Sequence, residues 1–133
     1  MDLITARTTM QLRTGVDTVV PVTAECSYST ADPFAVRCQF PGERDSVDWV
    51  FGRDLLARGL TAGCGDGDVH IAPADRQNVY IAVAGPNGVA LLVASVSDLV
   101  DFLTRSYALV PKGTEGAHID WDACIDRLLA SPS

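Results

Sequence analysis

Two groups of side chains in this sequence have the residue types of a metal or acid–base site. Cys64, Asp66, Asp68 and His70 alternate. Alternate residues of an extended strand point the same way, so a thiol, two carboxylates and an imidazole could share one face. As a calcium loop the group fails, because Val69, His70 and Ile71 stand where such a loop needs another ligand and a glycine. A Gly/Asp turn entering a strand accounts for the same residues. The second group is Glu115, His118, Asp120 and Asp122. Carboxylates at the start of a helix are expected in any case, since they complement the positive end of its dipole. Neither histidine, His70 or His118, has a serine or cysteine nucleophile at a recognisable spacing. There is no phosphate-cradling G-x-x-x-x-G-K and no G-x-G-x-x-G. No catalytic, cofactor-binding or metal-binding residue is assigned on these grounds. An enzyme built on His118 and its acidic neighbours is the weakest of the functional readings.

The four cysteines, Cys26, Cys38, Cys64 and Cys124, contain no C-x-x-C pair, so neither a zinc site nor a thioredoxin-like motif is indicated. Residues 1–12 lack the basic start and apolar run of a secretory signal, which points to a reducing, cytoplasmic setting and to free thiols. Aromatic residues Tyr28, Trp49, Phe51, Tyr80 and Tyr107 could stack bases, but core packing is the simpler role for them. With 10 basic and 17 acidic residues the net charge is -7, so the basic footprint of a phosphate-backbone binder is missing. The longest apolar runs are six residues, 79–84 and 89–94, against about 20 needed to cross a bilayer. No membrane insertion is expected.

A chain of 133 residues, 47% apolar and 20% charged, is expected to form one domain over residues 1–133. Its first half alternates with period two. Met10 and Leu12 alternate with Arg7, Thr9, Gln11 and Arg13; Val20, Val22, Ala24, Cys26 and Tyr28 share a face. Pro21 marks an edge or a bulge. Val36, Cys38 and Phe40 form the next face, and Val47, Trp49 and Phe51 the one after. A turn over Thr30–Pro33, centred at Asp32, sets Cys26 opposite Cys38, Ala24 opposite Phe40 and Tyr28 opposite Val36. The two cysteines then pack as small hydrophobes.

An antiparallel meander of four strands is followed by a short helix over 53–58, with Asp54 and Arg58 paired and Gly59 closing it in the left-handed conformation. Residues 61–67 form a Gly-rich loop. Val69 and Ile71 open a second group of strands, and 79–84 and 89–94 form a hairpin about Gly85–Gly88. That hairpin is apolar on both faces, so it needs cover on both sides, from its own helices or from another subunit. Ser95 with Asp98 caps a helix to about Tyr107, striped by Val96, Leu99, Val100 and Leu103, with Phe102 beside them. A last helix, capped near Asp120, carries Trp121, Ile125, Leu128 and Leu129. Four strands, a helix, three strands and two helices make an α+β protein, loosely a duplicated meander-plus-helix unit.

Several segments together resemble the SsgA-like family, the sporulation and cell-division proteins of actinomycetes. They are Thr30-Ala31-Asp32-Pro33-Phe34-Ala35-Val36; Val47-Asp48-Trp49-Val50-Phe51-Gly52-Arg53-Asp54-Leu55-Leu56 with Gly59-Leu60; Gly65-Asp66-Gly67-Asp68-Val69 with Pro73; and Pro111-Lys112-Gly113-Thr114-Glu115 with His118, Asp120 and Asp122. Gly52 departs from the alanine expected there, and Cys64 sits in a variable loop. The resemblance implies a Whirly-like fold of two packed antiparallel sheets with helices, assembled as a homotrimer. It implies a non-enzymatic role without cofactors: a cytoplasmic protein recruited to the septum, promoting septation through contacts with division or wall-remodelling proteins, the tubulin-like GTPase FtsZ among them. Partner-binding residues are not transferred. The alternative that travels with the fold is single-stranded nucleic-acid binding, which the acidic charge opposes.

Overall fold

A computed structural model describes residues 2–41, 47–85 and 88–118, together with Leu129. Strands β1 (Leu3–Arg13), β2 (Val19–Ser29), β3 (Asp32–Phe40) and β4 (Val47–Gly52) form the first meander, closed by helix α1 (Arg53–Gly59). Strands β5 (Cys64–Asp66), β6 (Val69–Pro73), β7 (Asn78–Gly85) and β8 (Gly88–Ser95) form the second, closed by α2 (Val96–Leu109). A single 3-10 turn, Glu115–His118, follows. The meander-plus-helix unit is therefore repeated, with one strand more than the apolar pattern shows. β5 falls inside the expected Gly-rich loop, because a three-residue strand of Cys-Gly-Asp is too short and too polar to alternate visibly.

The two meanders are not separate sheets. All eight strands form one antiparallel sheet in the order β4-β3-β2-β1-β8-β7-β6-β5. This corrects the expectation of two sheets, and the cause is the length of β1. Its last residues, Gln11, Leu12 and Arg13, pair with β2 on one side and with Val93, Leu92 and Leu91 of β8 on the other. Among the described strands, this three-residue seam is the ladder that joins the halves, whereas β1 and β2 pair along eleven residues. Trp49 on β4 closes toward the far half: a Cβ placed on Gly85 at the end of β7 would sit 3.9 Å from its ring.

Apolar alternation places the inner face of both halves as read. Met10, Ala24, Cys26, Tyr28, Val36, Cys38 and Phe51 are buried in the first half, and Val69, Ile71, Val79, Ile81, Val83, Leu92 and Ala94 in the second. Pro21 pairs with Gln11 on one side, while the β2–β3 ladder begins only at Glu25, so its missing N–H breaks no bond. The expected Cys26–Cys38 register is present, but the turn is not centred at Asp32. It lies at Thr30–Ala31, with Ser29 opposite Asp32, and a bulge between there and Ser27 restores the register. Pro33, without a donor, lies in that bulge, and the Tyr28 hydroxyl donates to its carbonyl oxygen at 2.7 Å. Tyr28 opposite Val36 is thereby lost from the ladder.

Both helices lie on the inner face. α2 buries Leu99, Phe102, Leu103 and Ser106, spaced for one helical stripe, while Val100, read as part of that stripe, is outward and exposed. Ser95 caps α2 by accepting the Asp98 amide, and Asp98 in turn accepts the Thr8 hydroxyl of β1 at 2.6 Å, fixing the helix to the sheet. The Arg105 guanidinium donates to the Thr5 carbonyl further along the same seam. In α1, Gly59 is not a left-handed cap; it lies within the helix, and Leu60 is the cap. Its side must stay bare because a Cβ there would collide with Ile71 of β6. The expected last helix, with Asp120, Trp121, Ile125 and Leu128, lies outside the described residues, as do Cys124, Pro86 and Asn87; Leu129 is helical and exposed.

Candidate functional site

Arg53 opens α1, where a positive charge faces the positive end of the helix. Its partners come from elsewhere. The side chain is 2% exposed and passes between two tyrosine rings, 4.7 Å from the centre of Tyr28 and 4.6 Å from that of Tyr107. Nη1 donates to the Val110 carbonyl at 2.8 Å and to the Ser106 carbonyl at 3.2 Å. Nη2 donates to Glu115 Oε1 at 2.7 Å, and Glu115 Oε2 accepts the Gly113 amide at 2.9 Å. Burying a guanidinium is costly unless its donors are met; here the Val110 carbonyl, the Ser106 carbonyl (which also accepts the capping Val110 amide) and a carboxylate meet them. Arg53 thus joins the first meander, the end of α2 and the Pro111–Glu115 loop.

The electrostatics follow. The Glu115 backbone amide and then the Arg53 guanidinium hold the Glu115 carboxyl below its ordinary value, against an opposing push from burial. Burial raises the Tyr28 hydroxyl, with Arg53 pulling the other way. A carboxylate kept ionised by a guanidinium holds no proton to give near neutrality, so Glu115 is built to anchor rather than to act as a general acid. Beside the clamp a groove of about 260 Å3 is lined by Phe34, Asp54, Tyr107, Lys112 and Gly113, and Phe34, pushed out by the β3 bulge, is half exposed.

The candidate chemical groups do not converge. Cys64 and His70 stand on strands β5 and β6 but not on one face: Cys64 is opposite Ile71 of the core, while His70 is exposed over Gly65. Asp68 is exposed beside them. Among the described residues no three His, Cys, Asp or Glu groups gather as metal ligands. Glu115 is committed to Arg53; His118 ends the 3-10 turn, and Asp120 and Asp122 lie outside the described residues. Of the aromatics, Tyr28 and Phe51 are buried, Trp49 and Tyr107 half-buried, and Tyr80 exposed at 37%. The sequence reading placed Arg53 in a helix and missed the clamp. Its one local signal was a basic residue at the helix end where charge is unfavourable.

The outer face of β7 and β8 is apolar and partly exposed, with the exposed His70 of β6 opposite Ala82 at its border. Tyr80, Ala82 and Ala84 of β7 stand opposite Val93, Leu91 and Val89 of β8, with Ala72 of β6 beside Tyr80. Neither helix reaches them, and Val89 is 71% exposed. The corresponding face of the first half is mixed: Arg7, Thr9, Gln11, Thr23, Glu25 and Arg37 stand on it, with Arg7 and Glu25 paired at 3.5 Å, and the exposed Leu3, Val19 and Val50 are scattered among them. Apolar side chains are thus contiguous on β7 and β8 and scattered among polar ones on the first half.

Residues 22–115 match the family described as Streptomyces sporulation and cell division protein, SsgA. The sporulation-specific cell division protein SsgB of Streptomyces coelicolor is 42% identical over 125 residues, covering 91% of each chain. That of Saccharopolyspora erythraea is 46% identical over 113 residues, covering 83% of this chain and 80% of the relative. Among solved structures, the SsgA-like sporulation-specific cell division protein of Thermobifida fusca YX-ER1 superposes with a TM-score of 0.85 at 39% identity, covering 96% of both chains. The SsgB structure described with mutations that correlate to longitudinal cell division during sporulation of Streptomyces coelicolor gives 0.84 at 41% identity, over 89% of this chain and 96% of that one. With the fold and the sequence in agreement along the same span, the chain belongs to the SsgA family of sporulation and cell-division proteins.

Proposed function

We propose that this protein acts in cell division during sporulation as a non-catalytic docking platform. It assembles as a homotrimer through the outer face of β7 and β8 and brings division or wall-remodelling proteins, FtsZ among them, to the septum. The observation that carries the reading is the contiguous apolar face of Tyr80, Ala82, Ala84, Val89, Leu91 and Val93, covered by neither helix, where the rest of the sheet's outer face mixes polar and apolar residues. A second copy of the chain is the natural cover for a surface of that kind, and a symmetric assembly repeats every exposed contact. Weak contacts repeated in register gain by avidity, so a platform needs no tight single site.

The test is to follow a fluorescent fusion alongside FtsZ in a sporulating host, as wild type and as Leu91→Asp. The wild type is expected at future septa and the variant dispersed. A variant shown to be monomeric that still reached the septum in full would remove the avidity mechanism. Strong, salt-sensitive retention of single-stranded DNA at low salt would replace the whole reading with nucleic-acid binding.

A further inference from the structure

β2 and β3 hold Cys26 and Cys38 directly opposite one another, with their sulfurs 3.2 Å apart as free thiols. Opposed residues of an antiparallel pair have Cα atoms roughly 4.5–5.5 Å apart, within the span a disulfide accepts. The ladder on either side, Glu25 with Gln39 and Ser27 with Arg37, fixes the pair, so closing the bond needs only rotation of the two side chains. Both residues are buried, yet Cys26 also lines a cleft of about 160 Å3 between β1 and α2, bounded by Arg7, Thr8, Asp98, Phe102 and Arg105. A space of that size admits a molecule little larger than water.

We propose that Cys26 and Cys38 are a redox-modification site, oxidised by hydrogen peroxide to a reversible disulfide within one chain. The Cys26 thiolate attacks one peroxide oxygen; the O–O bond breaks, leaving a sulfenic acid on Cys26, and the departing hydroxide takes up a proton as water. The Cys38 sulfur then attacks the Cys26 sulfur, the S–O bond breaks, and a second water leaves with the Cys38 proton. Two thiols are oxidised and one peroxide is reduced to two waters. The order of roles follows from access, since Cys26 lines the cleft and Cys38 is not among the residues that line it; in keeping with it, the S–H···S contact lowers the Cys26 thiol against burial, while that contact and burial push Cys38 well up. The bridge closes the loop that carries the Thr30–Ala31 turn, Pro33 and Phe34, next to Tyr28 of the arginine clamp.

The experiment uses the reduced full-length chain, treated with hydrogen peroxide, quenched with N-ethylmaleimide and digested with trypsin without reductant. Arg37 separates the two cysteines, so a bridge appears as two tryptic peptides joined. The expected result is that joined pair at monomer mass, reversed by dithiothreitol, with Cys64 and Cys124 alkylated and Tm raised by roughly 5–15 °C. Full alkylation of Cys26 and Cys38 while other cysteines oxidise, a sulfinic acid on Cys26 without a bridge, or bridges only between chains would each overturn the proposal. Cys38→Ala should stop at a sulfenic acid on Cys26 that dimedone traps. Equal peroxide reactivity of Cys38 in Cys26→Ala would overturn the assignment of the attacking thiol, and the wild-type peptide map stands whether or not either variant folds.

Discussion

Arg53 Nη2 and Glu115 Oε1 lie 2.7 Å apart, across 62 residues of chain. Removing Glu115 leaves Arg53 charged and buried, and removing Arg53 leaves a half-buried carboxylate and an unfilled gap between Tyr28 and Tyr107, each more costly than the net worth of the pair. Arg53→Ala is therefore expected to lose about 3–5 kcal/mol in urea unfolding. Arg53→Lys should recover only a small part, because an ammonium has neither the planar fork that reaches Val110 and Glu115 together nor the flat face between Tyr28 and Tyr107. Full stability in Arg53→Lys would show that charge alone is enough.

Glu115 also sets a pH dependence. Its carboxyl is depressed in the folded protein, so between the folded and unfolded pKa the unfolded chain binds more protons. The stabilisation is complete above the unfolded carboxylate range and is lost as pH falls through the folded value. Glu115→Gln should therefore flatten the acid limb of the stability–pH curve while leaving its slope near neutrality unchanged. Parallel acid limbs in the two proteins would contradict this.

What could be read from the sequence divides along physical lines. Period-two alternation located β1 to β4 and the β7–β8 hairpin, because one face of each meets the core; the Cys26–Cys38 register, expected from a turn centred at Asp32, is reached instead by a turn at Thr30–Ala31 and a bulge. The bulge at Pro33 and the β1–β8 seam were not legible, since both depend on where a ladder is interrupted or prolonged rather than on which residues are apolar. Arg53 was hidden for a related reason: its partners Tyr28, Tyr107, Val110 and Glu115 are distant in sequence, and no local pattern announces a charge that will be buried.

Gly59 gives a substitution whose sign is inverted by its surroundings. In an exposed helix Gly→Ala gains about 1 kcal/mol. Here the added methyl would run into the Ile71 side chain and come within 3.1 Å of its carbonyl oxygen. Ile71 is fully buried, so it cannot step aside cheaply. Gly59→Ala is expected to cost about 1–3 kcal/mol, with α1 displaced from β6. Adding Ile71→Ala should return part of that loss, making the two changes strongly non-additive in a double-mutant cycle. Simple additivity would mean the helix does not approach the strand this closely.

The bare outer face can be tested without touching the core. Leu91 is opposite Ala82 on that face, whereas its neighbour Leu92 is opposite Ile81 and faces inward, so Leu91→Asp places a charge where water reaches the isolated chain. In a monomer the substitution should alter stability by less than about 1 kcal/mol. In an assembly that covers the face, the same carboxylate is desolvated among apolar side chains with only Arg13, its cross-strand neighbour on β1, to offset it, which is costly. Sedimentation velocity is then expected to show the wild type as a trimer and Leu91→Asp as a folded monomer. Thr9→Asp, on the polar outer face of β1, should leave the trimer intact. A monomeric wild type would remove the oligomer altogether, and a trimeric Leu91→Asp would move the contact to another surface, with Phe34 beside the arginine clamp the next to substitute.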